Sequence, residues 1–543
     1  MYSVTSSTKK LVIFCCLGLA FSALSGIFNV PQVNGIHAGQ LLFGVGPILS
    51  LIGIFFYANN KILKMISIPV FAIILAGMNR FPAYFLFGWD EPSSLYFTRS
   101  VAEGEFISQG GSWHFFALFS EILGLNIRYS FDLIAISLVG ILSVFLFLWC
   151  TELTETKPSL ICIFILSNWW FIEFHSYVVK ETLGLPLAIF VAWILLIYFR
   201  TSDVRMIYIL PVITLTTVVT HHLSTLLLLI TAISLIITIH SRDLLTKVGV
   251  SVKNTLQVRI TPIISIFIIV LGYWSLIYTT PLSLGITPII RPVLGISTNF
   301  VQAGGATLSP DSLYTTFRLE WRSWKVYCIG FLIIAFYLFR LKKEKLLFGS
   351  DIEIFLLLAA CAHVAIVVTI WTTNSVLGGW RIVNFSWVFI IPLFFIILSK
   401  SVSRDYMYKI AYVLILLNLL AFPYHHVNIE ADPQFEAGEP AFGYTEQDPA
   451  ALAWTEKYST TPITPTQPYR AMLKHSSVET VSKADSSWII DSKCKDSLIF
   501  TGPASETYLK VGFSGKSTKN IGMGDYLYSN DRNRLVSCNS MLI

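Results

Sequence analysis

Between residues 11 and 424 the chain keeps returning to uninterrupted apolar runs, separated by short polar turns. About 20 apolar residues in a helix cross a hydrocarbon core about 30 Å thick. Lipid offers no partner to a backbone N–H or C=O, so continuous runs of this kind dictate helices. A barrel needs alternating runs instead. The composition agrees: 54% of residues are hydrophobic and 13% charged, with a mean hydropathy of +0.67. Those values lie far from the soluble norm. The expected class is an all-α polytopic membrane protein.

Runs near 11–29, 40–58, 62–80, 131–150, 158–174, 183–199, 206–220, 222–240, 260–279, 325–340, 352–371, 384–399 and 408–424 give about thirteen spans. The net charge of +6 comes largely from Lys and Arg in short loops, where it orients the chain; it is no nucleic-acid signal. One set of loops holds Lys9 and Lys10, "NNKILK", "RTSDVR", "SRDLLTKVGVSVKNTLQVR", "RLKKEK" and "KSVSRDYMYK". The alternate set holds "VPQVNGIHAG", the segment with Asp90, "EFHSYVVKETLG", "THHL" and "TTNSVLGGWR". The basic set is expected in the cytoplasm, which puts the N-terminus inside and the tail outside a plasma membrane. The run after Lys10 is expected to be a retained anchor, not a cleaved signal.

The expected organisation is N-terminal transmembrane helices over 1–80, a first large outer loop over 81–130 and the remaining bundle over 131–424. Within the bundle, 280–324 forms a Gly-, Pro-, Ser- and Thr-rich outer loop. From 425 to 543 the composition turns soluble, and short strand patterns around one helical stretch predict a small extracytoplasmic α/β domain. Of the eight cysteines, Cys15, Cys16, Cys150, Cys162, Cys328 and Cys361 lie in apolar runs and are expected to be small buried hydrophobes. Cys494 and Cys538 lie in the tail, where a disulfide and two free thiols are both open readings.

The stretch "FLFGWDEPSSLYFTRSVAEGEF" (85–106) sets Asp90 and Glu91 directly after an apolar run. Pro92 suits the first turn of a helix, and Leu95, Arg99, Ala102 and Phe106 follow at helical spacing. A helix along the membrane surface is predicted, with Tyr96 and Phe97 near the headgroups. The plain role for either acid is to cap that helix and complement its dipole. The acidic pair, its place after an outward-going span and the following "EG.F" pattern resemble the first outer loop of GT-C glycosyltransferases. That superfamily includes protein O-mannosyltransferases, lipid A aminoarabinose transferases and oligosaccharyltransferases. The resemblance implies a GT-C-like fold and a catalytic Asp90, with Glu91 as neighbour or substitute. It departs in two ways: two extra spans precede the loop, and the WWDYG signature of oligosaccharyltransferases is absent, "NWWFIEF" being a superficial echo.

Glu173, His175, Lys180 and Glu181 share the next outer turn, and the resemblance makes Glu181 the second acidic position. An ordinary Lys–Glu pair at a helix start is the plainer expectation. His221 and His222 sit at another outer turn; adjacent residues point apart on a helix, so joint chelation is disfavoured and donor-phosphate contact is the functional alternative. Arg381 enters the twelfth span, where its planar fork suits a lipid phosphate as well as snorkelling to headgroups. Arg291, Arg318 and Arg322 lie in the long loop, with Arg322 a further phosphate candidate. Asp90 and Glu181 are compatible with a shared divalent cation, Mg or Mn, but no ligand set specific enough to require one is present.

A sugar transferred outside the cell needs a donor that carries its activation across the membrane. A polyprenyl-phosphate sugar, dolichyl or undecaprenyl, does so, and the chain has no Gly-rich nucleotide loop. The expected partners are that donor, a lipid, glycan or protein acceptor, and the membrane. The expected reaction is a single inverting displacement, with Asp90 taking the acceptor proton. Two rivals stand beside it: an envelope polysaccharide polymerase or ligase using the loop arginines, and a lipid-linked-sugar flippase. The flippase would require charges deep within spans, whereas this chain keeps them near the ends.

Overall fold

The structure, a computed structural model, describes residues 6–28, 38–58, 60–80, 86–87, 91–104, 111–125, 127–154, 157–168, 171–172, 175, 178–247, 252, 255–257, 260–277, 333, 350–372 and 379–430. It also describes the strand residues 443–444, 463–465, 498–501, 526–529 and 534–537. The helices are α1 (Ser6–Phe28), α2 (Ala38–Tyr57), α3 (Lys61–Arg80), α4 (Glu91–Ala102), α5 (Gly111–Leu123), α6 (Ile127–Leu153) and α7 (Pro158–Leu166). They continue as α8 (Lys180–Thr201), α9 (Arg205–Thr220), α10 (His222–Lys247), α11 (Thr261–Leu276), α12 (Asp351–Thr372), α13 (Gly379–Ser401) and α14 (Arg404–Glu430).

The surface of this bundle is apolar where a soluble protein's would be polar. Tyr208, Val212 and Leu215 on α9, and Ile264, Ile268 and Leu271 on α11, are exposed at intervals of three or four residues. Each set forms a stripe along the outward side of its helix. Exposed apolar surface on this scale requires lipid around it. Among the described residues, Ser130–Leu153, Lys180–Thr201 and His222–Lys247 are long and apolar enough to cross a membrane. Shorter apolar helices include Arg205–Thr220 and Thr261–Leu276. The chain is thus a helical membrane protein.

The core is interdigitated aromatic and branched side chains. Trp149 on α6 donates its indole N–H to the Val388 carbonyl on α13 at 3.0 Å. Its ring meets Phe355 of α12 and Phe389 of α13 edge to face. Aromatic pairs of this geometry add about 0.5–1.5 kcal/mol each beyond area burial. The cysteine expectation holds for Cys15, Cys150 and Cys162, which are buried free thiols; Cys16 and Cys361 are exposed on their helices instead.

Several boundaries differ from those expected. The span predicted over 158–174 is not one helix: α7 is nine residues long and stops at Ser167, whose hydroxyl donates back to the Phe164 carbonyl. Such local bonds compete with helix continuation. The last helix, α14, runs to Glu430, past the expected end at 424. The predicted outer loop 81–130 contains two helices, α4 and α5, and a strand, β1 (Leu86–Phe87). Helix α4 ends at Ala102, short of Phe106. It is not laid against headgroups alone, since Ser94, Leu95, Thr98 and Ser100 are all buried in the protein.

Strand β1 pairs antiparallel with β2 (Gly443–Tyr444), Leu86 opposite Tyr444. The tail is therefore tied to the segment that leads into position 90. Further on, β3 (Ile463–Pro465), β4 (Leu498–Thr501), β5 (Tyr526–Ser529) and β6 (Arg534–Ser537) form a sheet in the order β3-β4-β6-β5. The β3–β4 pair is parallel and the others are antiparallel. The loop 280–324, the helix expected in the tail, Cys328, Cys494 and Cys538 lie outside the described residues.

Candidate active site

Asp90 lies outside the described residues, immediately before α4, and Glu91 is the first residue of that helix. Position 91 therefore has the favourable alignment with the helix dipole that a carboxylate at a helix start enjoys. Nothing else of the Glu91 side chain is described. What the structure shows in side-chain detail is the patch that α4 packs on.

Phe97 of α4 stacks on Trp113 of α5, with centroids 4.2 Å apart and planes at 24°. Trp113 also meets Lys180, whose ammonium stands 4.1 Å from the ring centroid. A cation over an indole face is attracted by the ring quadrupole. Helix α5 is held at its start by the end of α9. Ser112 Oγ donates to the Thr220 carbonyl at 3.1 Å. A side chain at Gly111 would come within 2.9 Å of Val219 Cγ1, so only glycine permits this approach.

Lys180 opens α8, and Glu181 follows in the first turn. The turn is closed by Val179, whose backbone N–H donates to Thr182 Oγ1 at 3.3 Å. Glu181 is not the solvent-facing partner of an ordinary surface pair: its residue is 4% exposed. Its Oε1 lies 3.3 Å from Nε2 of His221, itself buried. A carboxylate there gains from the dipole of the helix start as well as from the imidazole.

His221 is the corner between α9 and α10. Its backbone is extended, with φ −158° and ψ 125°, and its N–H donates to the Thr217 carbonyl. Its side chain caps the next helix: the Ser224 N–H donates to Nδ1 at 3.2 Å, and Ser224 Oγ is 2.9 Å from the same atom. A backbone N–H can only donate, so Nδ1 bears the lone pair. The neutral ring then carries its proton on Nε2, facing Glu181. No histidine protonation is needed to hold the carboxylate. The approach depends on Gly184, one turn along α8: a Cβ there would lie 2.6 Å from His221 Cβ and 2.6 Å from Ser224 Oγ.

His222 stands beside His221, ring centroids 5.0 Å apart and tilted by 49°. The expectation that they point apart assumed both on one helix, whereas His221 is extended and His222 begins α10, which leaves the rings side by side. His175, five residues before α8, is fully buried with its ring 4.7 Å from that of Phe171. Burial pushes its pKa down to about 3, with the negative charge of Glu181 opposing that shift. His175 is thus neutral at physiological pH and belongs to the packing under the site. The sign of its pH effect is definite. As pH falls below the ordinary histidine value of 6.5, the unfolded chain takes up a proton that the folded chain refuses until about 3. Stability from this group is complete above 6.5 and lost progressively on acidification. His175→Gln is therefore expected to flatten the fall of the thermal unfolding midpoint between those pH values, measured in detergent against the unchanged protein.

Arg381 is in the first turn of α13, as expected from sequence, but its side chain and all of Arg291, Arg318, Arg322 and Glu173 lie outside the described residues. The site therefore joins Lys180, Glu181, His221 and the α4 helix, with His175 beneath. Among the described residues no group of three or more His, Cys, Asp or Glu side chains is placed to hold a metal ion. A cation shared by Asp90 and Glu181 thus has only Glu181 among the described residues.

No protein-family model matches the sequence, and no curated protein matches it. Solved structures similar in fold include the Archaeoglobus fulgidus oligosaccharyltransferase in complex with Zn and sulfate, at 10% identity and a TM-score of 0.43 over 76% of this chain and 62% of that one. The same protein tethered to an acceptor peptide containing the NVT sequon gives 9% identity and a TM-score of 0.46, over 77% and 64%. ArnT from Cupriavidus metallidurans in the apo state gives 10% and 0.46, over 88% of this chain and 98% of that one. The chain spans 62% to 64% of the length of the oligosaccharyltransferase. These likenesses are of fold.

Proposed function

We propose that the protein is a membrane glycosyltransferase of GT-C type, transferring a sugar from a polyprenyl-phosphate donor to an acceptor on the outer face. The observation that carries this reading is the buried Glu181 held by the Nε2–H of His221, in a patch linked through Lys180, Trp113 and Phe97 to the helix that starts after Asp90. A buried carboxylate on a neutral imidazole, at the end of a membrane helix, is costly to keep and of little use to packing alone.

In this reading the acceptor hydroxyl attacks the anomeric carbon while Asp90 takes its proton, and the bond to the lipid phosphate breaks in the same displacement with inversion. The departing phosphate gathers negative charge, which Lys180 and Arg381 are suited to offset. Glu181 orients the acceptor or the sugar hydroxyls as an acceptor-only group. The β1–β2 pairing supports a role for the tail in steadying the loop that bears Asp90.

Glu181→Gln keeps the shape of the side chain and removes its charge. Its turnover in acceptor-dependent release of polyprenyl phosphate is expected to fall at least about tenfold, on the scale of a lost charge-assisted hydrogen bond. Thermal unfolding of the variant should stay near that of the parent. Undiminished turnover would make Glu181 a structural residue and remove the observation on which the proposal stands.

A further inference from the structure

The opposite end of the same helices carries a second polar concentration that sugar transfer does not use. Glu181 and Arg200 stand at the two ends of α8, about 28 Å apart at the helical rise. That is about the thickness of the hydrocarbon core. Around Arg200 the ends of α6, α8, α12 and α13 leave an open cleft of about 530 Å³. Its walls hold Arg200, Lys400 and Arg404, two carboxylates, Glu152 and Glu353, and several hydroxyls.

The walls are built, not loose. Arg200 Nη1 pairs with Glu152 Oε2 at 3.1 Å. Lys400 pairs with Glu353, which is 2% exposed. Behind them, Asp351 accepts the backbone N–H groups of Thr255 and Leu256 at 2.8 Å each and lies 3.7 Å from Arg242, fixing the segment that borders the cleft. The start of α12 opens into it through Ser350, Ile352 and Glu353. Arg404 is exposed at the rim. Three cations against two carboxylates leave an excess positive charge, and with Arg200 and Lys400 each paired it rests on Arg404. Arg205, Arg242 and Lys247 lie at this same end of the bundle, the first two paired with Asp203 and with Asp243 and Asp351.

We propose that this cleft binds a phosphate-bearing anion, with Arg404 and Lys400 as the charged contacts. Arginine meets a phosphate with paired N–H groups and lysine with a point charge, so the two together suit a phosphodiester or phosphomonoester. The cleft lies at the level of headgroups, where a phospholipid supplies such a group at high local concentration.

The full chain, reconstituted in phosphatidylcholine nanodiscs with a minor fraction of phosphatidylglycerol, is compared with Arg404→Gln and with Ser399→Phe. The first removes an exposed charge, and the second fills the cleft without changing any. Retained phosphatidylglycerol is counted by native mass spectrometry after release, and binding of inorganic phosphate is measured by calorimetry in detergent. The unchanged protein should keep phosphatidylglycerol with about tenfold higher apparent affinity than either variant. Retention of the lipid without phosphate binding assigns the site to a headgroup; binding of both assigns it to phosphate from either source. Equal behaviour of all three proteins in both measurements, with folding intact, overturns the proposal. Sugar transfer is read in a separate assay, so failure here and failure of the Glu181 variant are distinguishable.

Discussion

Asparagine in place of Asp90 is expected to lower acceptor-dependent transfer by about 10²–10⁴-fold, the usual contribution of a positioned general base. The reason is the order of events at the anomeric carbon. An acceptor hydroxyl is a weak nucleophile until its proton has somewhere to go. The amide of asparagine fills the same space and makes hydrogen bonds, but it cannot take that proton. The change should appear in turnover more than in apparent donor affinity, since in the proposed reaction other groups hold the donor's lipid and phosphate. Asp90→Glu is the matching control: it keeps the base and displaces it, so a smaller loss is expected. If Asp90→Asn retains full turnover, a different group receives the proton and Asp90 is only a helix cap.

Gly184→Ala is expected to damage the site with no change in its chemical groups. The added methyl would meet His221 Cβ and Ser224 Oγ at 2.6 Å each, and Ser224 Cβ at 3.1 Å. Two of these atoms are Cβ atoms fixed to backbone, so relief requires α8 and the α9–α10 corner to move apart. Overpacking of this kind costs about 1–3 kcal/mol. The same movement lengthens the Glu181–His221 contact, now 3.3 Å. Lower thermal stability together with at least about tenfold lower turnover is expected. A stable variant with parent-like turnover would show that the close approach of these helices is not what sets the carboxylate.

How much of this was legible beforehand differs from residue to residue. The apolar runs are legible because lipid forces each of them into a helix, whatever their detail. The break of the 158–174 run after Leu166 was only faintly marked: the polar pair Ser167 and Asn168 interrupts it, and Ser167 ends the helix through its own hydroxyl bond. Glu181 was visible as an acid at a helix start. Its partner was not, because His221 lies forty residues on and meets it only when α8 packs against the α9–α10 corner. One signal was available in retrospect: Gly184 follows Glu181 at one helical turn, and a glycine inside a membrane helix marks a close approach. The cleft at the far end was hidden for a related reason. Glu152, Arg200, Glu353 and Lys400 belong to four separate helix ends, each of which looked like an ordinary polar flank of a span.

The central claim is that the donor is a sugar on a lipid phosphate. Purified protein in liposomes should be offered polyprenyl-phosphate sugar labelled in the sugar, and separately a nucleotide sugar labelled likewise, each with and without a mixture of candidate acceptors. Label should leave the lipid only when acceptor is present, with free polyprenyl phosphate formed in equal amount and the nucleotide sugar untouched. Label moving from the nucleotide sugar, with the lipid-linked donor left intact, would contradict that claim.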